Sequence, residues 1–540
     1  MKIVVAEKIS SAALALLRAE SEWTVVSPEQ ISDHLAQQVA DADALIVRSA
    51  IQVDAALIEH ADKLRVIGRA GIGVDNIDLD AATRKGIAVM NTPGANAVAV
   101  AEHTFALALA LARHLCRADS LMHAGTWDKK SLQGTELRGK VLGIVGLGRI
   151  GMEVARRAQA FGMKVVAHDP FVSPQIAQDA EIEMARLDRV FEQADYLTLH
   201  LALTPQSAGM INAESIAKMK KGVRIINCAR GELIDEAALA AALQSGQVAG
   251  AALDVFIEEP PKNSPLLSAP NLIATPHIAG STNEAQDAVG VQIAMQVREY
   301  LKHGVIQNAV NVPSVSHDEY VEMQPYIVLA ERLGSFLAQA VQCNLVEIHL
   351  RYSGPIANWK TQLIRNAAIT GVLNTMLEEK ANLVNAASLA ESRGIRVHES
   401  SHPQSGGRVP SVLAVALKTD AAAHEARGAV LRENSPRLLG VDDIDIEAPL
   451  EHNLIFLRNR DVPGVIGRVG TILGEQKINI ANFSLGRAEP AARAAHAGAQ
   501  AGDSAAQAIS VVHVDEPVPD SVLALLQAIP AITVARAIKL

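Results

Sequence analysis

Short Val- and Ile-rich runs alternate with helical segments from the first residues of the chain to the stretch LIATPHIAG. KIVVA is followed by an alanine-rich helical segment, then by DALIVRS, LRVIGRAG and GIAVMNTP. A second series opens at KVLGIVGLGRIG and continues through KVVAHD, YLTLHL, VRIINCAR, GAALDVF and LIATPHIAG. Strands separated each time by a helix pair in parallel, with the helices covering the sheet faces. The expected fold class is therefore α/β with two doubly wound parallel-sheet domains. At 540 residues the chain is too long for one core, so more domains are expected beyond these two.

The expected boundaries are 1–97 with 285–312 for a discontinuous first domain, and 98–284 for the second. One long buried helix over 98–116 joins them, and the helix after PHIAGST returns the chain to the first domain, with NAVNVP as its closing segment. From 313 to 450 the pattern changes to helices such as YIVLAERLGSFLAQAV before strands such as NLVEIHLRYSG, an α+β unit without an evident catalytic constellation. A last unit, 451–540, reads strand NLIFLRN, turn RDVPG, helix VIGRVGTILGEQ, strand INIANFSLGR. EPAARAAHAGAQAGDSAAQ then interrupts it with the composition of a flexible loop.

The net charge of −10 argues against nucleic acid and anionic membrane as partners, so an anionic substrate must be met by a local basic pocket. Cys116, Cys228 and Cys343 share no metal-ligand spacing; no metal is expected, and a reduced, cytoplasmic setting fits best. MKIVVAEKIS is a strand rather than a signal peptide. The most apolar long stretch, AVAVAEHTFALALALARHLC, is interrupted by Glu102 and His103 and is too short for a membrane span.

VLGIVGLGRIG sets Gly146, Gly148 and Gly151 in GxGxxG spacing between a strand and a helix. Gly146 permits the tight turn, Gly148 lets a pyrophosphate approach the backbone, and Gly151 allows close helix–strand packing. The helix N-terminus supplies N–H groups and partial positive charge to the phosphates. Asp169 follows at the end of the next strand, at about the expected ~20 residues. An acid there takes the ribose hydroxyls and repels a 2′-phosphate, which favours NAD(H) over NADP(H). GRAGIGVDNID also clusters glycines; its amides could grip a carboxylate, or it is a plain tight turn.

Three ionisable residues stand after apolar runs of the second series: Arg230 in INCARG, Glu259 after LDVFIEE and His277 in TPHIAG. Such strand ends border the ligand crevice of an α/β sheet. Hydride transfer to or from a hydroxy acid needs a base for the hydroxyl proton, a cation for the carboxylate and a nicotinamide alongside. His277 suits the base, Glu259 can fix its tautomer and stabilise the imidazolium, and Arg230 can hold a carboxylate bidentately.

GRAGIGVDNIDLDAATRKGIAVMNTPGANAVAVAEHT, GKVLGIVGLGRIG, KGVRIINCARGELIDEAALAAAL and GAALDVFIEEPP with LIATPHIAGST resemble the D-isomer-specific 2-hydroxyacid dehydrogenases. WDKKSLQGTELRGK and the tail are similar to the long type that acts on 3-phosphoglycerate, and the resemblance covers essentially the whole chain. It implies a flavodoxin-like substrate domain, a Rossmann NAD domain, an α+β intervening domain and a ferredoxin-like ACT domain. It makes Arg230, Glu259 and His277 the catalytic set, and it places cofactor contacts at Arg149, Ile150, Asp169, Cys228, Ala229, Asp254, His277 and Gly280. Asp254 would approach the nicotinamide carboxamide, or is a packing acid. For substrate it implies Arg48, Arg69, Lys129 and Lys130 around the carboxylate and phosphate, with Gly71, Ile72, Gly73 and Asn96 in the grip. Lys129 and Lys130 would serve the neighbouring subunit's site in a homodimer or homotetramer, or are solvated surface charges. The order Ala279–Gly280 is exchanged relative to the commoner pattern, and Leu201 replaces a threonine of some relatives.

The implied reaction is NAD-dependent oxidation of 3-phosphoglycerate to 3-phosphohydroxypyruvate, the entry to serine synthesis. L-serine would be an effector at Asn459, Asp461 and Asn479, or the last unit serves assembly alone. Residues 313–450 would be an allosteric anion-binding module, a spacer or an oligomer interface. Other readings are 2-hydroxyglutarate or another 2-hydroxyacid as substrate, or an NADH-sensing corepressor.

Overall fold

The computed structural model describes residues 1–31, 34–341, 344–378, 380–404, 409–419, 422–431, 434–488 and 507–540. Residues 489–506 of the alanine-rich interruption, expected to be a loop, and Cys343 lie outside the described residues. The described strands form four sheets.

In the first, β1 (Lys2–Val5), β2 (Thr24–Val26), β3 (Ala44–Val47), β4 (Val66–Arg69) and β5 (Ala88–Met90) lie in the order β2-β1-β3-β4-β5. All pairs are parallel. ALIV in β3 is buried at every position, as a strand covered on both faces requires. The helix Asn283–His303, capped by the Thr282 hydroxyl accepting from the Ala285 amide, returns to this sheet. Its Val289, Ile293, Ala294 and Val297 share a core with Ile3, Val5, Ile46 and Val66. Asn311 Oδ1 then accepts from the Val89 amide at 2.9 Å, fixing the closing segment to β5.

The second sheet holds β6 (Val141–Val145), β7 (Lys164–His168), β8 (Glu183–Met184), β9 (Tyr196–Leu199), β10 (Val223–Asn227), β11 (Val248–Leu253) and β12 (Leu272–Ala274). The order β12-β11-β10-β9-β6-β7-β8, all parallel, reverses direction between β6 and β9, where such sheets bind dinucleotides. The long helix expected over 98–116 is two helices, Ala97–Arg113 and Leu115–His123, bent by 64°. His114 adopts the left-handed conformation (φ 54°) and ends the first helix. Among the described residues no single helix is long and apolar enough to cross a membrane; the bent pair passes on length and composition alone. Ala101, Phe105, Leu107, Ala108 and Leu111 of its first helix are buried against Ile144, Leu147 and Ile226.

The third sheet is mixed: β13 (Leu345–Ser353), β14 (Arg396–His402), β15 (Val412–Thr419), β16 (Ala423–Leu431), β17 (Ser435–Val441) and β18 (Ile444–Pro449), in the order β14-β13-β15-β16-β17-β18. Only β13–β14 is parallel. Helices His317–Val341 and Gln362–Leu373 cross backbone to backbone, for a Cβ at Gly334 would stand 2.3 Å from the Ala368 carbonyl. The fourth sheet is antiparallel, β20 (Ile480–Arg487), β21 (Gln507–Val514), β19 (Asn453–Arg460), β22 (Ile532–Lys539), in that order.

NLIFL in β19 is buried on both sides. Ile455 and Leu457 face the helices Val465–Glu475 and Asp520–Gln527. Leu454 and Phe456 join the core of the third sheet, where Phe456 meets Phe336 edge to face at 5.5 Å. Gln339 exchanges hydrogen bonds with the Lys539 backbone, and Arg458 ion-pairs Asp442 at the β17–β18 turn. One apolar core thus runs from the first sheet through the third into the fourth, while the second sheet packs in two clusters of its own.

Candidate active site

Arg48, Arg69, Gly146, Asp169, Cys228–Arg230, Asp254 and His277 each follow or end the carboxyl terminus of a parallel strand in the first two sheets. The side chains that face each other across the cleft come from both sheets. Arg230 Nε donates to Asp75 Oδ2 at 2.9 Å and its Nη1 to the Ala229 carbonyl at 2.7 Å. A Cβ at Gly73 would stand 1.8 Å from Arg230 Nη2, and one at Gly71 1.5 Å from Arg69 Nη1. Two guanidiniums thus lie against the 71–73 loop, in the space that a side chain at Gly71 or Gly73 would enter. Burial first, then the Arg230 charge, pushes the Arg69 guanidinium down to about 10, still cationic at neutral pH. The Ile72 carbonyl accepts from Asn91 Nδ2 at 2.6 Å, which holds the loop. Arg48 lines a cavity of about 480 Å³ with Lys8, Ser10, Ala70 and Gln286.

Opposite lies the acid–base pair. His277 Nδ1 is 2.7 Å from Glu259 Oε2, and Glu259 Oε1 accepts from the Phe256 amide at 3.1 Å. His277 is in the left-handed region (φ 53°), a strain of the kind concentrated at functional sites. Asp254 maintains it. Its fully buried carboxylate accepts from Thr275 Oγ1 (2.6 Å), the Ile278 amide (2.9 Å) and the Ala279 amide (2.8 Å), while its own carbonyl accepts from the His277 amide (2.8 Å). Burial alone would raise this carboxyl; hydrogen bonds from His103, Thr275 and the two amides outweigh it and hold the group below its ordinary value. Asp254 therefore fixes the His277 loop from beneath, with Ala279 buried under Gly280. Asn96 Nδ2 abuts Gly280, where a Cβ would be 2.9 Å away.

The three fingerprint glycines differ in what surrounds them. A Cβ at Gly146 (φ 93°) would be 2.3 Å from the His200 carbonyl, and one at Gly151 2.1 Å from the Gly146 carbonyl. Above Gly148, the N-cap of the helix Arg149–Ala160, the space is open. Asp169 Oδ2 accepts from the Leu147 amide at 2.8 Å and so flanks the same turn. Open space over a helix N-terminus beside a carboxylate fits a dinucleotide, pyrophosphate on the amides and ribose on the acid. Arg149 reaches across the cleft to the Pro93 carbonyl, and Ile150 is half-buried behind it. Cys228 is held close to Thr104, and burial pushes its thiol up to about 12, so it stays neutral. Ala229 is fixed through its amide to Asn227 Oδ1 at 2.9 Å.

Lys129 and Lys130 are exposed, and the ammonium group of neither makes a hydrogen bond or ion pair among the described residues. Asn459 is buried, with Nδ2 on the Arg460 carbonyl at 2.9 Å and an enclosed Oδ1 that has no partner. Asp461 ion-pairs Arg487 at 3.4 Å and Asn479 donates to Asp515 Oδ2 at 2.7 Å. No described interaction links these three.

Three contributors escaped the sequence reading. Asp75 occupies Arg230; His103 sits 3.5 Å from Asp254; and buried Asn227 clasps the turn by donating to the Arg230 carbonyl at 2.8 Å. The last had a signal, an Asn closing an Ile-rich strand, the position from which a side chain folds onto its own backbone.

The chain is similar to known proteins along its whole length. Residues 105–279 match the model of the D-isomer specific 2-hydroxyacid dehydrogenase NAD binding domain, 322–442 the D-3-phosphoglycerate dehydrogenase intervening domain and 453–531 the ACT domain. The D-3-phosphoglycerate dehydrogenase of Methanocaldococcus jannaschii is 40% identical over 98% of each chain. That of Synechocystis is 39% identical over 100% of this chain and 95% of its own. Among solved structures, a D-lactate dehydrogenase of Aquifex aeolicus complexed with NAD and lactic acid is 29% identical, covering 58% of this chain and all of its own at a TM-score of 0.53. A cleft built this way, on a sequence alike from end to end, places the chain in the D-isomer-specific 2-hydroxyacid dehydrogenase family, among its D-3-phosphoglycerate dehydrogenases.

Proposed function

We propose that this chain oxidises 3-phospho-D-glycerate at C2 to 3-phosphohydroxypyruvate with NAD, the entry step of serine synthesis. The observation that carries the reading is the His277–Glu259 pair at 2.7 Å in the same cleft as Arg69 and Arg230. Because Glu259 engages Nδ1, Nε2 is the nitrogen left to take the hydroxyl proton, and the carboxylate stabilises the imidazolium that results. Arg230 exchanges Asp75 for the substrate carboxylate, which the 71–73 amides also receive. Arg48, with Lys8 beside it, meets the phosphate. Bound at Gly148 and Asp169, the nicotinamide cofactor supplies the hydride acceptor. Burial of Arg69 strengthens its pull on an anion, and closure across Arg149 and Pro93 excludes water.

In a cytoplasmic homodimer or homotetramer, Lys129 and Lys130 serve the neighbouring cleft. Serine acts at the last unit through Asn459, Asp461 and Asn479. The test is steady-state reduction with NADH of phosphohydroxypyruvate beside 2-oxoglutarate, with and without L-serine. Preferred turnover of phosphohydroxypyruvate that serine suppresses supports both parts. Turnover without a serine effect leaves the last unit to assembly, preference for 2-oxoglutarate overturns the substrate, and no turnover overturns the enzyme.

A further inference from the structure

The face of the third sheet turned away from its helices carries a cluster that takes no part in the cleft. On β13, Ile348, Leu350 and Tyr352 enter the core, so Glu347 and His349 project to the other side. The parallel register sets Glu347 opposite Arg396 and His349 opposite His398 on β14. His349 Nε2 is 2.8 Å from Glu347 Oε2, and the two imidazole centres are 4.7 Å apart. One carboxylate oxygen and one nitrogen of each ring all lie within 4.8 Å of one another.

We propose that Glu347, His349 and His398 bind a divalent transition ion of the zinc class, with water in the remaining coordination position. Two donors at i and i+2 on one strand, with a third directly opposite on its neighbour, form a triangle on a rigid sheet. Donors around a tetrahedral zinc stand roughly 3.3 Å apart, from metal–ligand distances near 2.0–2.1 Å. The Glu347–His349 pair therefore opens by about half an ångström and His398 turns inward, within reach of side-chain rotation. Two imidazoles and one carboxylate select zinc, nickel or copper over magnesium and calcium, which prefer oxygen throughout.

The surroundings bear on affinity in opposite directions. Arg396 ion-pairs Glu347 Oε1 and leaves Oε2 to coordinate, an outer contact that orients a ligand carboxylate. Lys418 Nζ, 3.3 Å from Oε2, competes with an ion for that oxygen, but its side chain is 54% exposed and free to swing away. β14 is the edge strand of its sheet, so a bound ion would tie that edge to β13.

The experiment uses the full-length chain, stripped with a chelator and titrated with Zn²⁺ against a chromophoric competitor and with Co²⁺ by absorbance. One ion per chain is expected, with a dissociation constant at or below about 10 μM and the visible bands of four-coordinate Co²⁺. His349→Ala and His398→Ala should each weaken binding about 10–100-fold. Lys418→Met should tighten it several-fold by removing the competing cation, and His277→Ala should leave it unchanged, which separates this site from the cleft. The proposal is overturned by a chain without stoichiometric binding, by binding that survives both histidine variants, by binding lost in His277→Ala, or by weaker binding in Lys418→Met.

Discussion

A histidine at φ 53° whose ring nitrogen rests on a glutamate 2.7 Å away is committed to one orientation. His277→Ala should cut kcat by about 10²–10⁴, while the dissociation constant for NADH, read by fluorescence, stays within about threefold; retained turnover would remove His277 from the base role. Asp169→Ala should weaken NAD and admit NADP, measured as the ratio of the two kcat/KM values. An unchanged ratio would locate the preference elsewhere. His200 offers a pH test. Burial depresses its imidazole from about 6.5 to about 3 in the folded chain, so between those values the unfolded chain binds the extra proton. Stability is fully present above about pH 6.5 and falls as pH drops towards 3, by up to about 1.4 kcal/mol per unit. Denaturant unfolding at pH 7.5 and 5 should show a smaller acid loss in His200→Asn than in the parent. Arg230, Glu259 and His277 were legible because each interrupts or follows an apolar run. Asp75 and His103 were not: one polar residue in a loop, or one on a helix, looks solvated until another element is brought against it.

The fingerprint turn between β6 and its helix shows what a short element does with three glycines. Gly151→Ala drives a methyl to 2.1 Å from the Gly146 carbonyl and should cost about 1–3 kcal/mol of stability, seen as a lower Tm without ligand. Gly148→Ala meets no protein atom within 4 Å. It should leave Tm nearly unchanged and weaken NADH instead, because its methyl points where the pyrophosphate would lie; equal losses of stability in both variants would refute that division. The parallel pairing of both sheets could be anticipated from the alternation with helices, since buried strands read as unbroken apolar runs. The break at His114 could not. Nothing in ALARHLC forbids a continuous helix, and the bend comes from a left-handed residue that is neither Gly nor Asn.

Across the whole molecule, the apolar core ignores the boundaries that sequence patterns suggest. NLIFL held the clue: four consecutive large apolar residues in an antiparallel strand leave no face for solvent, so a second covering layer was required. The sequence could not say that the layer would be the helix His317–Val341. A chain ending at Leu450 uncovers Phe336 where Phe456 packs at 5.5 Å, and it should aggregate or bind a hydrophobic dye such as ANS far more than the full chain does. A soluble, dye-silent truncation would show that the contact contributes little. The shared core also limits what recombination can do with this gene. The NAD-binding segment, with apolar clusters of its own, is the piece a chimera could exchange. A foreign sensory tail grafted after residue 450 would inherit a socket shaped for Leu454 and Phe456, so tail and socket have to change together.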